Sequence, residues 1–210
     1  MKNIQVNYEE GAAEFAEWLF GRAVSNEELA AAVGALDDSQ LNVRIRKGVE
    51  LAIEIENVKV VEQVRFIRRD PRGELMIWNF RFEKARGHHG VGLESLLRQI
   101  KGARSLRIRR LECWAAGDPK DTRYTGYYRW ASYGFDAPLN RDEQEVLSQD
   151  PQYAGVASLN ELMMRGGREW WRKYGSERKM IFVLNENSSM MAVLRNYLSE
   201  KRPDLLKELI

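Results

Sequence analysis

Between Leu41 and Phe82 the hydrophobic positions recur at every second residue, whereas on either side they recur at every third or fourth. Leu41, Val43 and Ile45 alternate with polar neighbours, and Leu51, Ile53 and Ile55 do so again after Gly48. A third run covers residues 58–69, and the Pro and Gly of Arg69-Asp70-Pro71-Arg72-Gly73-Glu74 supply a turn into a fourth over residues 75–82. The spacing predicts an antiparallel meander of about four strands with one face buried. Ahead of it, a short strand at Asn3-Ile4-Gln5-Val6 precedes two helices. The first carries Ala12, Phe15, Ala16 and Leu19 and stops at Gly21. The second opens on the capping box Ser25-Asn26-Glu27-Glu28, where each side chain satisfies an amide the helix leaves orphaned, and ends near Gly34.

Helical spacing returns in Leu93, Leu96, Leu97 and Ile100, with Gly102 read as the closing residue. Leu106 and Ile108 then alternate with arginines, while Leu111 and Cys113 follow in the opposite phase, which predicts a strand with a bulge near Arg109-Arg110. Strand, helix and strand in this order form a right-handed parallel crossover, so the sheet is expected to be mixed, with helices on both faces. The aromatic-rich residues 121–139 read as a further helix, stopped by Gly134 and Pro138. Residues 140–175 turn polar, with a second capping box at Ser158-Leu159-Asn160-Glu161, and are read as an insertion. A strand at residues 180–184 and a helix from Ser189 through Leu194, Tyr197 and Leu198 close the chain. The expectation is one α/β (α+β) domain over residues 1–210, interrupted at 140–175.

Charge changes this picture little: 33 Lys and Arg face 31 Asp and Glu, a net +2, so no global field argues for nucleic acid or an anionic membrane. The densest basic stretch, Lys101, Arg104, Arg107, Arg109 and Arg110, reads as a solvated strand and helix end. One cysteine, Cys113, excludes an internal disulfide framework and reads as a buried thiol in a reducing compartment. The acidic start MKNIQVNYEEGAAEF is unlike a signal peptide, and no apolar run reaches the length of a membrane helix. A cytoplasmic protein without membrane contact is expected. Trp170 and Trp171, with Tyr174, read either as a lid or as a satellite core, and the area that aromatics bury favours the core.

The chemistry concentrates in EKARGHHGVGLESLLRQIKGA, where Gly87-His88-His89-Gly90-Val91-Gly92 joins the fourth meander strand to a helix. Glycines let a backbone approach a ligand closely, and the amides of a helix's first turn lack internal partners and carry the positive end of its dipole. An anion such as phosphate is one occupant, a metal a second, and a plain tight turn a third. His88 and His89 are adjacent and so point in different directions, which suits anion contact or solvent better than joint chelation.

This stretch resembles the GCN5-related N-acetyltransferase superfamily. That family joins a strand to a helix through an Arg/Gln-x-x-Gly-x-Gly/Ala loop that holds the pyrophosphate of acetyl-coenzyme A, and Gly90-Val91-Gly92 followed by LESLLRQI is similar. Trp130-Ala131-Ser132-Tyr133-Gly134-Phe135 is similar to the family's later helix, which ends in Tyr-x-x-x-Gly-Phe. The close likeness covers about residues 75–137. Gly87 stands where the family has Arg or Gln, with Arg86 one residue earlier, and Trp130 stands where many members have the tyrosine that protonates the leaving thiolate.

The resemblance implies acetyl-CoA as cosubstrate and transfer of its acetyl group to an amine acceptor, a small molecule or a protein. Arg86, Gly87, His88, His89, Gly90, Val91 and Gly92 would bind the pyrophosphate, and the backbone near Phe80 to Phe82 the pantetheine arm. Glu83 or Glu112 would serve as base and Tyr128 as acid, with Tyr127 and Tyr133 as substitutes. A homodimer is compatible with it. The alternative is a non-catalytic module of the same fold that binds a protein or ligand through the cleft and the Trp-rich insertion.

Overall fold

A computed structural model describes residues 2–120 and 123–209 of the chain; Asp121 and Thr122, which open the aromatic-rich stretch, lie outside the described residues. The fold is mixed α/β, with seven strands and nine α-helices among the described residues. It divides after Leu111 into two compact units, residues 2–111 with Leu209 and residues 112–208.

In the first unit β1 (Gln5–Tyr8) is followed by α1 (Ala12–Phe20) and α2 (Asn26–Ala32), then by the strands β2 (Gln40–Arg46), β3 (Glu50–Glu56), β4 (Val60–Arg69) and β5 (Leu75–Lys84). The period-2 runs become these four strands, paired antiparallel in chain order. β1 joins the outer edge of β2 in parallel, so the two-helix connection α1–α2 is itself a crossover. Register places Val43, Ile53, Arg65 and Asn79 in one row, and Ile45, Leu51, Ile67 and Ile77 in the next. That face lies under α1, α2 and α3 (Val91–Ser105): Arg69 reaches the Leu19 carbonyl in α1, Gln63 bonds Ser95 in α3, and Asn79 bonds Gln99 in α3. Within this unit all three helices share one side of the strands.

Two expectations about α3 and its exit are corrected. The helix continues past Gly102 to Ser105, because Gly102 is a contact point and not a cap. A Cβ there would stand 2.3 Å from the backbone of Ala31 in α2, so only glycine lets the two helices approach this closely. The strand expected from Leu106 begins only at Arg110. Leu106 and Ile108 lie in the connection before β6 (Arg110–Ala115), and the phase change arises where Arg107 turns the chain through positive φ (57°). The Arg109 amide donates to the Leu75 carbonyl (2.9 Å), which ties the approach to β6 to the first residue of β5.

In the second unit β6 runs beside β7 (Arg178–Val183), with α4 (Gly126–Ser132), α5 (Arg141–Leu147), α6 (Leu159–Met164), α7 (Arg168–Tyr174), α8 (Ser189–Lys201) and α9 (Pro203–Leu206). Residues 140–175, polar in composition, are nonetheless largely helical, since α5, a 3₁₀ turn, α6 and α7 fill them. Asn140 and Glu143 form a full capping box at α5, whereas Ser158 caps α6 alone, because Glu161 turns its carboxylate to the Ala157 amide instead. Trp171 is fully buried. Its indole N–H donates to the Tyr127 carbonyl (3.0 Å), and Arg178 lies over its ring while pairing with the buried Glu143.

Candidate functional site

The glycine loop sits where β5 has been re-aimed. In the β4–β5 register Val64 faces Arg81 and Arg65 faces Asn79, so β5 carries Phe80 as one extra residue, and Val61 is likewise extra on β4. A bulge bends a strand and shifts the phase of its side chains. Phe80 and Phe82, two residues apart, therefore point to opposite faces. Phe80 is exposed and its ring meets Phe66 at 5.1 Å between centroids, while Phe82 turns inward against Val91 and Leu36. The bulge distinguishes the backbone of Phe80 to Phe82 from an ordinary ladder.

Beyond Lys84 the Ala85 amide still donates to the Lys59 carbonyl (3.0 Å), and a turn closes with the His88 amide on the Ala85 carbonyl (3.4 Å). Gly87 (φ 81°) and Gly90 (φ 82°) both take the left-handed conformation that L side chains adopt only with strain. Gly90 then caps α3 with its carbonyl, accepting from the amides of Leu93 and Glu94 at 3.0 Å, and no side chain caps this helix. Gly92 serves differently, since a Cβ there would stand 3.3 Å from the Phe82 ring, so the ring rests directly on the first turn. Arg86 and His89 are exposed and His88 half-buried at the loop's surface. Gly87 is exposed and faces open space, where an added Cβ would meet nothing within 4 Å.

Beneath the first turns of α3 lies a polar layer that periodicity did not reveal. Gln63 donates to Ser95 (3.3 Å) and to the Val33 carbonyl (3.2 Å), and its own carbonyl oxygen is buried without a hydrogen bond. Asn79 and Gln99 exchange two amide bonds, at 3.0 and 2.8 Å. Arg65, 1% exposed, donates to the Arg81 carbonyl beside the bulge (2.8 Å) and lies 5.7 Å from the Phe82 ring centroid. The only sequence signal for this layer was polar Gln63, Arg65 and Asn79 standing at the inward phase of β4 and β5.

The proposed proton-transfer residues have distinct surroundings. Glu83 is exposed at the end of β5, opposite Glu62 across the ladder. Glu112 is buried on β6, ion-paired with Lys179 of β7 at 2.7 Å, a partner the sequence reading missed. Tyr127 is buried and donates to the Arg172 carbonyl (2.8 Å), and burial pushes its phenol up. Burial, followed by the neighbouring Tyr197, pushes Tyr133 up to about 12. Tyr128 keeps a half-exposed ring, flanked by the guanidinium groups of Arg129 and Arg172. Trp130 packs on Phe135 at 4.8 Å between centroids.

The basic stretch after α3 is partly neutralised: Arg110 bonds the Asp70 carboxylate (2.7 Å) and holds it below the usual carboxylate range, and Arg109 approaches Glu74 (4.0 Å). Among the described residues no group of three or more His, Cys, Asp or Glu side chains is placed to hold a metal, and no helix is long and apolar enough to cross a membrane. No protein-family model, curated protein or solved structure matches the chain.

Proposed function

We propose that the chain is an acyl-coenzyme A dependent N-acyltransferase, a divergent relative of the GCN5-related superfamily, acting on an amine acceptor. One observation carries this reading: α3, a helix of 15 residues, begins on left-handed Gly90 with no side-chain cap, directly after a bulged strand. First-turn amides left open in this way, backed by the helix dipole, suit a pyrophosphate. Gly87 and Gly90 would keep the backbone accessible, with Arg86 and His88 supplying positive charge or donors. The bulged backbone around Phe80 would receive the pantetheine arm.

The reaction needs a base for the acceptor ammonium and an acid for the departing thiolate. Glu83 or Glu112 fills the first role in this proposal, and Tyr128 the second. Tyr128 is preferred over Tyr127 and Tyr133 because those two phenols are committed to buried contacts. The alternative, a non-catalytic module, is favoured by Trp130 standing where the family's acid is expected.

Calorimetric titration with acetyl-CoA tests the reading, using wild type, Gly90→Asp and Gly90→Asn. Aspartate and asparagine tolerate the left-handed conformation similarly but differ in charge. Micromolar binding retained by Gly90→Asn and lost by Gly90→Asp supports the cofactor site. No binding by a folded wild type at millimolar acetyl-CoA rejects it. Binding without turnover on any amine, unchanged in Tyr128→Phe, selects the non-catalytic module.

A further inference from the structure

We propose that the seam between α4 and α7 in the second unit binds single-stranded nucleic acid, stacking bases on its rings and holding phosphates with the cations beside them. The seam is rigid at its base. The Trp171 indole donates to the Tyr127 carbonyl (3.0 Å) and the Tyr127 hydroxyl donates to the Arg172 carbonyl (2.8 Å), so each helix fixes the other's backbone at the point from which the surface residues project.

From that base Arg172 reaches across to Tyr128 of α4, its guanidinium carbon 5.7 Å from the ring centroid, and Arg129 stands 5.8 Å from the same ring. Farther along α7 the Lys173 ammonium lies 4.9 Å from the centroid of Tyr174, which is 51% exposed and packs on Trp170 at 5.2 Å. Rings at a protein surface with cations beside them are the elements from which single-strand sites are built. A guanidinium that lies over a ring presents its N–H edges outward, the geometry that grips phosphate oxygens in pairs.

Charge is concentrated to match. The two helices, residues 126–132 and 168–174, carry Arg129, Arg168, Arg172 and Lys173 against Glu169 alone, a balance of +3 in 14 residues, whereas the whole chain is +2 and the other 196 residues therefore sum to −1. Arg168 is engaged by Glu200 (3.0 Å), but the contact between Arg172 and Glu169 (3.7 Å) joins two mostly exposed side chains and yields readily to a phosphate. An acidic membrane would call for an outward apolar face, and α7 turns Trp171 inward and leaves Arg172 and the half-exposed Tyr174 outside. Duplex DNA hides its base faces from such rings.

The test is fluorescence anisotropy with a labelled oligouridine of about 12 nucleotides, a length within single-strand site sizes. Wild type is expected to bind, with affinity falling as salt rises at a slope near −0.7 per phosphate contacted. Arg129→Glu with Arg172→Glu should abolish binding. Tyr128→Leu should weaken it about tenfold while leaving the salt slope unchanged, as loss of one stacking ring predicts. Circular dichroism melts check that each variant folds. Gly90→Asp should bind the oligonucleotide like wild type, so this proposal and the acetyl-CoA reading fail separately. No binding by wild type at low salt overturns the proposal. So does equal binding of duplex DNA or heparin with no effect of Tyr128→Leu, or binding only to vesicles rich in acidic lipid.

Discussion

The helices α2 and α3 pack together in the first unit, yet they begin in opposite ways. α2 opens on a closed box, in which the Ser25 hydroxyl accepts from the Glu28 amide and the Glu28 carboxylate accepts from the Ser25 amide. α3 opens on Gly90, with left-handed backbone and no side-chain hydrogen bond at its N-cap. A closed start spends the helix's free amides on stability, and an open start leaves them available to a ligand. The difference separates a residue pattern that holds the fold from one that can serve chemistry.

The contact at Gly102 locks the two helices together away from both of their starts. Gly102→Leu should break that lock, because its Cβ alone would stand 2.3 Å from the Ala31 backbone. A loss of about 3 kcal/mol in urea unfolding is expected, at the upper end of overpacking costs. A loss below about 1 kcal/mol would show that α2 and α3 can part freely, and the contrast between their starts would then concern two separate helices.

The next largest effect falls on the open start. Gly90→Ala puts a Cβ on a residue with φ 82°, at a cost of about 1–2 kcal/mol. On the closed start, Ser25→Ala removes the hydroxyl acceptor and should cost about 1 kcal/mol. The two are similar in stability but should part in binding. Ser25→Ala is expected to leave acetyl-CoA affinity as in wild type, and Gly90→Ala to weaken it, by calorimetry at matched temperature. Equal affinities across all three proteins would remove the functional meaning of the open start.

These features were not equally legible in the residues. The box at Ser25 and Glu28 was readable because capping is local, fixed by two residue types three apart. The β2–β5 meander was readable because its period survives in Leu41, Val43, Leu51, Ile53 and Ile55. Gly102 was misread, since a glycine that ends a helix and one that admits a neighbouring helix look alike until Ala31 is known to be opposite. The bulge at Phe80 left no sign, because bulging changes which face a residue takes and not which residue it is. In residues 140–175 the helices are short and polar, and their order comes from distant partners such as Tyr127 for Trp171 and Arg178 for Glu143. The Asn140 to Glu143 box was a local signal there that went unread. The glycine loop was visible as a pattern, but the polar layer of Gln63, Arg65 and Asn79 beneath it required the strand register.

The smallest predicted effect separates charge from backbone. Glu28 completes the closed start and is gripped by both terminal nitrogens of Arg22, at 2.6 and 3.2 Å, which with the Ser25 amide holds its carboxyl down to about 2. A carboxylate whose folded pKa is lowered adds stability above its ordinary value near 4.5 and loses that stability as pH falls from there to about 2. The advantage of wild type over Glu28→Gln, read as the urea midpoint, should therefore be constant above pH 5, shrink across that window and be gone below it. High salt should diminish it, since both side chains are solvent-exposed. The deficit of Gly90→Ala has no titrating group behind it and should stay flat over the same range. A Gly90→Ala deficit that followed the Glu28 curve would mean that the two helix starts are coupled through charge, and that the open start is not set by backbone conformation alone.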